Sequence, residues 1–169
     1  MSASDDLARN NDDYVASFDK GDLQSPPAKP VVVLTCIDAR VDPARILGLQ
    51  IGDAHVVRNA GGLASEDALR SIAISQHLLG TTEVMVIHHT NCGMTMFKDE
   101  EVSDQIEEST GARPPMRLGA FTDPDEEVRA TVETIRATGF IRERGCVSGY
   151  VYQVEDGRLR PAEGLTVSV

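Results

Sequence analysis

Tryptophan is absent from this chain, and aromatic residues of all kinds make up only 4% of it. That scarcity removes two modes of recognition: bases stacked along a row of rings, and an aromatic cage around a ligand cation. Basic residues are outnumbered, with sixteen Lys and Arg against twenty-seven Asp and Glu and a net charge of -11. Such a surface repels polyanions, so neither nucleic acid nor an anionic membrane is an expected partner. No apolar run approaches the ~18 residues of a membrane span. The start of the chain, Met1-Ser-Ala-Ser-Asp-Asp, is polar and acidic. It has neither the basic beginning nor the apolar middle of an export signal, which makes the cytoplasm the expected compartment. Cysteine is sparse and odd in number, which excludes a full disulfide framework. The three residues, Cys36, Cys92 and Cys146, must be explained as thiols.

What remains is an ordinary globular composition. At 41% apolar and 25% charged over 169 residues, the chain can bury one hydrophobic core. Residues 1–29 read as a helical arm with a thin apolar pattern (Leu7, Tyr14, Val15, Phe18), followed by a linker with three prolines. Such an arm buries little on its own subunit and is expected to pack on a partner. Residues 30–169 form the second unit, an α/β domain.

Within that domain Val31–Thr35 is a strand apolar on both faces, as in a parallel sheet. Asp42-Pro43 opens a short helix. A second strand is expected over 54–57 and a third over 83–87. Between them Ser65 caps a helix that Gly80 ends, with Leu69, Ile72, Ala73 and Leu79 on its buried face. A short helix is expected near 100–108. Asp123-Pro124 starts another, with Val128, Val132 and Ile135 as its apolar stripe. Residues 146–154 form a fourth strand that begins with Cys146 as a core thiol and is closed by the turn Asp156-Gly157. Alternating strands and helices predict an α/β fold with a mostly parallel four-to-five-stranded sheet flanked by helices. Ligands of such sheets sit beyond the carboxyl ends of strands, where the strand order reverses.

Two segments end predicted strands there: Thr35-Cys36-Ile37-Asp38-Ala39-Arg40 and His88-His89-Thr90-Asn91-Cys92-Gly93. Cys36, His89 and Cys92 supply two thiolates and an imidazole, a donor set that suits Zn²⁺. Three protein ligands with a fourth position open is the catalytic rather than the structural pattern. Asp38 and Arg40, two apart on extended backbone, point to the same side and can pair. An Asp so close to a zinc thiolate reaches the metal unless the Arg holds it off. His88 should face away from His89 as a packed strand residue. His55 and His77 read as surface or partly buried groups. Arg58 is either a loop anchor or an anion-attracting group, and with Gly61 and Gly62 it forms a candidate substrate or anion site.

These motifs resemble the β-class carbonic anhydrases, in their short prokaryotic form. The Cys-x-Asp-x-Arg and His-x-x-Cys segments lie 53 residues apart from Cys36 to His89. Gly52–Gly62 and Ala68–Ala73 are similar to the family's second-strand and following-helix segments. The likeness runs over roughly residues 30–155. It implies zinc held by Cys36, His89 and Cys92, with Asp38 and Arg40 as a catalytic dyad. The implied reaction is reversible hydration of carbon dioxide to bicarbonate and a proton by a zinc-bound hydroxide. It also implies a homodimer or higher homo-oligomer embraced by the N-terminal arm. Two departures stand out: many relatives carry Asp in place of Asn91 and Gly in place of His88. Two alternatives use the same residues. One is a carbonyl sulfide or carbon disulfide hydrolase; the other is a non-enzymatic zinc- or redox-sensing domain.

Overall fold

The computed structural model describes residues 2–165. Two short helices come first, α1 (Ala3–Arg9) and α2 (Asn11–Ala16), and neither buries a residue. A single polar helix was the expectation; the chain breaks it at Asn10, which caps both segments. Residues 28 and 29 then join the body by donating their N–H groups to the carbonyls of Gly52 and Asp53.

From there strands and helices alternate. The order is β1 (Val31–Cys36), α3 (Pro43–Leu47), β2 (His55–Asn59), α4 (Glu66–Leu79), β3 (Glu83–His89), α5 (Asp99–Thr110), α6 (Pro124–Ala137), β4 (Val147–Tyr152) and β5 (Leu159–Pro161). The caps lie where the sequence places them. Asp42, Ser65 and Asp123 each accept backbone N–H bonds at the starts of α3, α4 and α6, and left-handed Gly48 and Gly80 end the first two.

Five strands form one sheet in the order β2-β1-β3-β4-β5. The first four are parallel, and β5 returns antiparallel to β4 through the expected Asp156-Gly157 turn. With only three residues and a proline, β5 has no alternation to read, and its proline suits an edge strand. The sheet reverses its winding between β1 and β3, so their carboxyl ends flank the switch point.

One face of the sheet carries the core. Val32, Leu34, Val84, Val86, Val147 and Val151 meet Ala68 and Ile72 of α4 and Val128, Val132 and Ile135 of α6. Gly149 lets α6 come close, because a Cβ there would stand 2.4 Å from Val128. In α4 the buried face is more polar than expected. Ser75 and Gln76 are buried beside Ala68 and Ile72, while Leu69, Ala73 and Leu79 are only half-buried. Ser75 bonds His55 and Thr81, and the Gln76 side-chain oxygen accepts the N–H groups of Arg142 and Glu143, which offsets the burial of the hydroxyl and of that oxygen. The opposite face is barer: Val31, Met85 and Tyr150 are half-buried and Val56 is exposed.

One expectation is corrected. Cys146 is an exposed free thiol one residue before β4, not a core residue. Its carbonyl accepts the Val84 N–H, so its backbone begins the ladder while its side chain faces out.

Candidate metal centre

The end of β1 delivers Cys36 and the end of β3 delivers His89, on neighbouring strands. Cys92 follows three residues later. Asn91, in the left-handed region at φ 51°, turns the chain back so that Cys92 faces the same point. Asn tolerates that conformation better than most side chains. The donor atoms of Cys36, His89 and Cys92 all lie within 4.8 Å of one another, and the two sulfurs are 4.0 Å apart. All three residues are buried.

His89 is set up as a ligand. Its Nδ1–H donates to the Thr90 carbonyl at 2.9 Å, which leaves Nε2 as the lone-pair nitrogen. That atom is buried and has no hydrogen-bond partner among the described residues. A tetrahedral Zn²⁺ bound at about 2.3 Å by sulfur and about 2.0 Å by nitrogen would space its ligands by about 3.5–3.8 Å. The donors present fit that ion. Cys36 is the thiolate side of the pair: the Cys92 thiol donates to it and drives its pKa down, while Cys92 is driven up. The Asp38 N–H, 3.4 Å from the Cys36 sulfur, and the Gly61 N–H add to that effect. His89 is raised overall: burial opposes its charge, but contacts with Cys36 and the Thr90 carbonyl outweigh it.

Asp38 and Arg40 form the expected pair. Arg40 donates from Nε to Oδ1 at 3.0 Å, from Nη2 to Oδ2 at 2.7 Å and from its backbone N–H to Oδ1 at 2.9 Å. The Arg40 side chain thereby holds the Asp38 carboxyl well below the usual carboxylate range. Asp38 Oδ2 stands 3.8 Å from His89 Nε2, beside the donor cluster. Arg40 Nη2 also donates to the Asn91 carbonyl at 2.8 Å, tying the two motif loops together.

Of its two expected roles, Arg58 has the geometry of a loop anchor. Its Nε and Nη2 donate to the carbonyls of Cys36 and Asp38, each at 2.9 Å. Gly61 and Gly62 are buried beneath Cys36 rather than open to an anion. His55 is half-buried and His77 is exposed. Cys146 lies outside the donor cluster.

Sequence reasoning missed three features. Glu155 accepts the Thr90 hydroxyl at 2.6 Å and the Asn91 amide at 2.5 Å, bracing the loop after β3 from the β4–β5 turn. Met94, Phe121, Leu63 and Phe97 pack an apolar shell against the two cysteines. Finally, His88 is buried as expected, but its partner was not foreseen: it donates to the Gly62 carbonyl, and burial pushes its pKa down to about 4. None of these long-range partners leaves a spacing signal.

A family model described as carbonic anhydrase matches residues 31–159. The beta-carbonic anhydrase 1 of Mycobacterium tuberculosis is 42% identical over 159 residues, which span 94% of this chain and 97% of that protein. The chain belongs to the β-carbonic anhydrase family. As a β-carbonic anhydrase it is an enzyme of the carbonic anhydrase class. A crystal structure of carbonic anhydrase from Streptococcus mutans superposes with a TM-score of 0.91 at 36% identity, covering 96% of this chain and 99% of that one. The family also holds other activities. A carbon disulfide hydrolase from an Acidianus strain is 35% identical over 174 residues, covering 88% of this chain and 83% of that protein.

Proposed function

We propose that this β-carbonic anhydrase hydrates carbon dioxide reversibly to bicarbonate and a proton, with Zn²⁺ held by Cys36, His89 and Cys92. The observation that carries the reading is the bidentate Arg40–Asp38 pair beside a three-donor cluster. A structural zinc has no use for such a pair, and neither does a thiol redox sensor. When bound, zinc supplies Lewis acidity that brings the pKa of water toward about 7.

The rest is the work of this chain's residues. Asp38 is charged at neutral pH and offers its carboxylate as a hydrogen-bond acceptor next to the donor cluster. A nucleophilic O–H donating to Asp38 has its lone pair turned toward the substrate carbon. Arg40 fixes the carboxylate in that orientation and keeps it from swinging onto the metal. The apolar shell of Leu63, Met94, Phe97 and Phe121 excludes water from the sulfur side. Carbon dioxide is small, linear and apolar, and bicarbonate leaves as an anion.

A second reading is favoured by the Acidianus relative: hydrolysis of carbon disulfide or carbonyl sulfide at the same residues. One experiment separates them. Zinc per chain is measured, then carbon dioxide hydration, carbonyl sulfide hydrolysis and carbon disulfide hydrolysis are assayed on one preparation. About one zinc per chain with hydration far above sulfide release supports the first reading. The reverse ratio replaces it with the second.

The working unit is proposed as a cytoplasmic homodimer or higher homo-oligomer, in which residues 1–29 of one subunit pack on another. The bare arm helices and the half-covered face of the sheet support it.

A further inference from the structure

His88 takes no part in the donor set, yet it is among the most deeply buried polar groups of the molecule. Burying an imidazole is costly unless its polar atoms are used. Among the described residues only one of them is: Nε2 donates to the Gly62 carbonyl at 3.1 Å, while Nδ1 has no partner there. The ring leans against Phe121, with centroids 5.7 Å apart, and Phe121 belongs to the apolar shell around Cys36 and Cys92. Continuing the register of β1 and β3 past Thr35 and Ile87 sets His88 beside Cys36, on the face opposite His89.

The residue that His88 holds is itself tightly placed. Gly61 and Gly62 both have positive φ, 83° and 73°. A Cβ on Gly62 would stand 3.0 Å from the Thr35 carbonyl carbon and 3.1 Å from the Cys36 nitrogen. The turn therefore lies directly against the backbone of the residue that bears the sulfur. The sulfur itself accepts the Asp38 N–H at 3.4 Å.

We propose that His88 is a positioning residue for the Cys36 thiolate: through the Gly62 carbonyl it fixes the turn packed against the Cys36 backbone, and so the placement of that sulfur against its N–H donor. This rests on the reading of Cys36 as a zinc ligand. Each N–H bond to a thiolate draws negative charge from it and weakens its donation to a metal, which leaves the metal a stronger Lewis acid. His88 sets that balance without touching substrate.

The test uses the full-length protein with Co²⁺ in place of zinc, as wild type, His88→Leu and His88→Gln. Gln places an amide N–H near the position of Nε2; Leu fills the space without a donor. Two quantities are read: the energy of the thiolate-to-cobalt charge-transfer band, and the pH midpoint of carbon dioxide hydration by the zinc forms. In His88→Leu the band moves to longer wavelength and the midpoint rises by about half a pH unit, the size expected for one hydrogen bond. In His88→Gln both return toward wild type. If His88→Leu does not fold, His88→Asn replaces it, since the shorter amide keeps polarity but falls short of Gly62. An unshifted band and midpoint in the folded variant that lacks the Gly62 bond, Leu or Asn, overturn the inference. A wild-type cobalt protein with no thiolate charge-transfer band instead overturns the ligand reading beneath it.

Discussion

Asp38 stands beside the three donors with its carboxylate held by one side chain. Its Oδ2 lies 3.8 Å from His89 Nε2, while Arg40 takes both carboxylate oxygens. Arg40→Ala removes the hold but leaves the three donors intact. Zinc content should stay near wild type while hydration falls by about 100-fold, at the low end for loss of a positioned acid–base group. Metal analysis and stopped-flow hydration check the two halves of that statement. Cys36→Ser and Cys92→Ser act differently, because a buried hydroxyl is a poor soft donor. Each should lose zinc and activity together; a variant that retains both would remove the ligand assignment. These five residues were legible in the sequence because each lies at a strand end within a short motif. His88 was legible only as a buried strand residue, since its partner Gly62 is 26 positions away.

At the scale of elements, two contacts carry expectations. The Gly61–Gly62 turn packs on the end of β1, and Gly62 combines positive φ with backbone 3.0 Å from its missing Cβ. Gly62→Ala should destabilise by at least about 1–2 kcal/mol from conformation alone, with displacement of Cys36 added. Denaturant melts and zinc affinity should both register it. The second contact is the start of α6 against the edge strand. Asp125 accepts two bonds of 2.7 Å from Arg160 and one of 2.7 Å from the Glu163 N–H. The Arg160 guanidinium, chiefly, lowers the Asp125 pKa below its ordinary value of 3.8. The unfolded chain therefore takes up the proton first as the solution is acidified. The pair's stabilisation is complete above about pH 4 and disappears as pH falls through the lowered folded value. Arg160→Ala should lose about 2 kcal/mol at pH 7. Its gap from wild type should narrow progressively below about pH 4, read from urea midpoints across that range.

The whole molecule separates its charge from its chemistry. Residues 26–98, which hold every motif, carry six acidic and six basic groups. The excess acidity lies in the arm and in residues 99–127, so an anionic product is not met by a like-charged site. The arm leaves Leu7, Tyr14, Val15 and Phe18 between 47% and 70% exposed, apolar surface that packing on a partner would cover. Deleting residues 2–20 should lower the oligomer's mass or its assembly affinity, measured by light scattering on a sizing column; unchanged mass at every concentration would remove the arm's assigned role. What the sequence determined alone is local: donor types, their order, the caps of α3, α4 and α6, and the apolar periods of the strands. Each depends on neighbours a few positions away, where steric and hydrogen-bond rules act directly. Only the tertiary structure decided that β1 and β3 lie side by side, which brings Cys36 within 4.0 Å of Cys92 across 56 positions of chain. Strand order, edge strand β5, the outward turn of Cys146 and the Gly62 partner of His88 belong to that second class. They follow from how crossovers wind and which faces pack, and no local pattern records either.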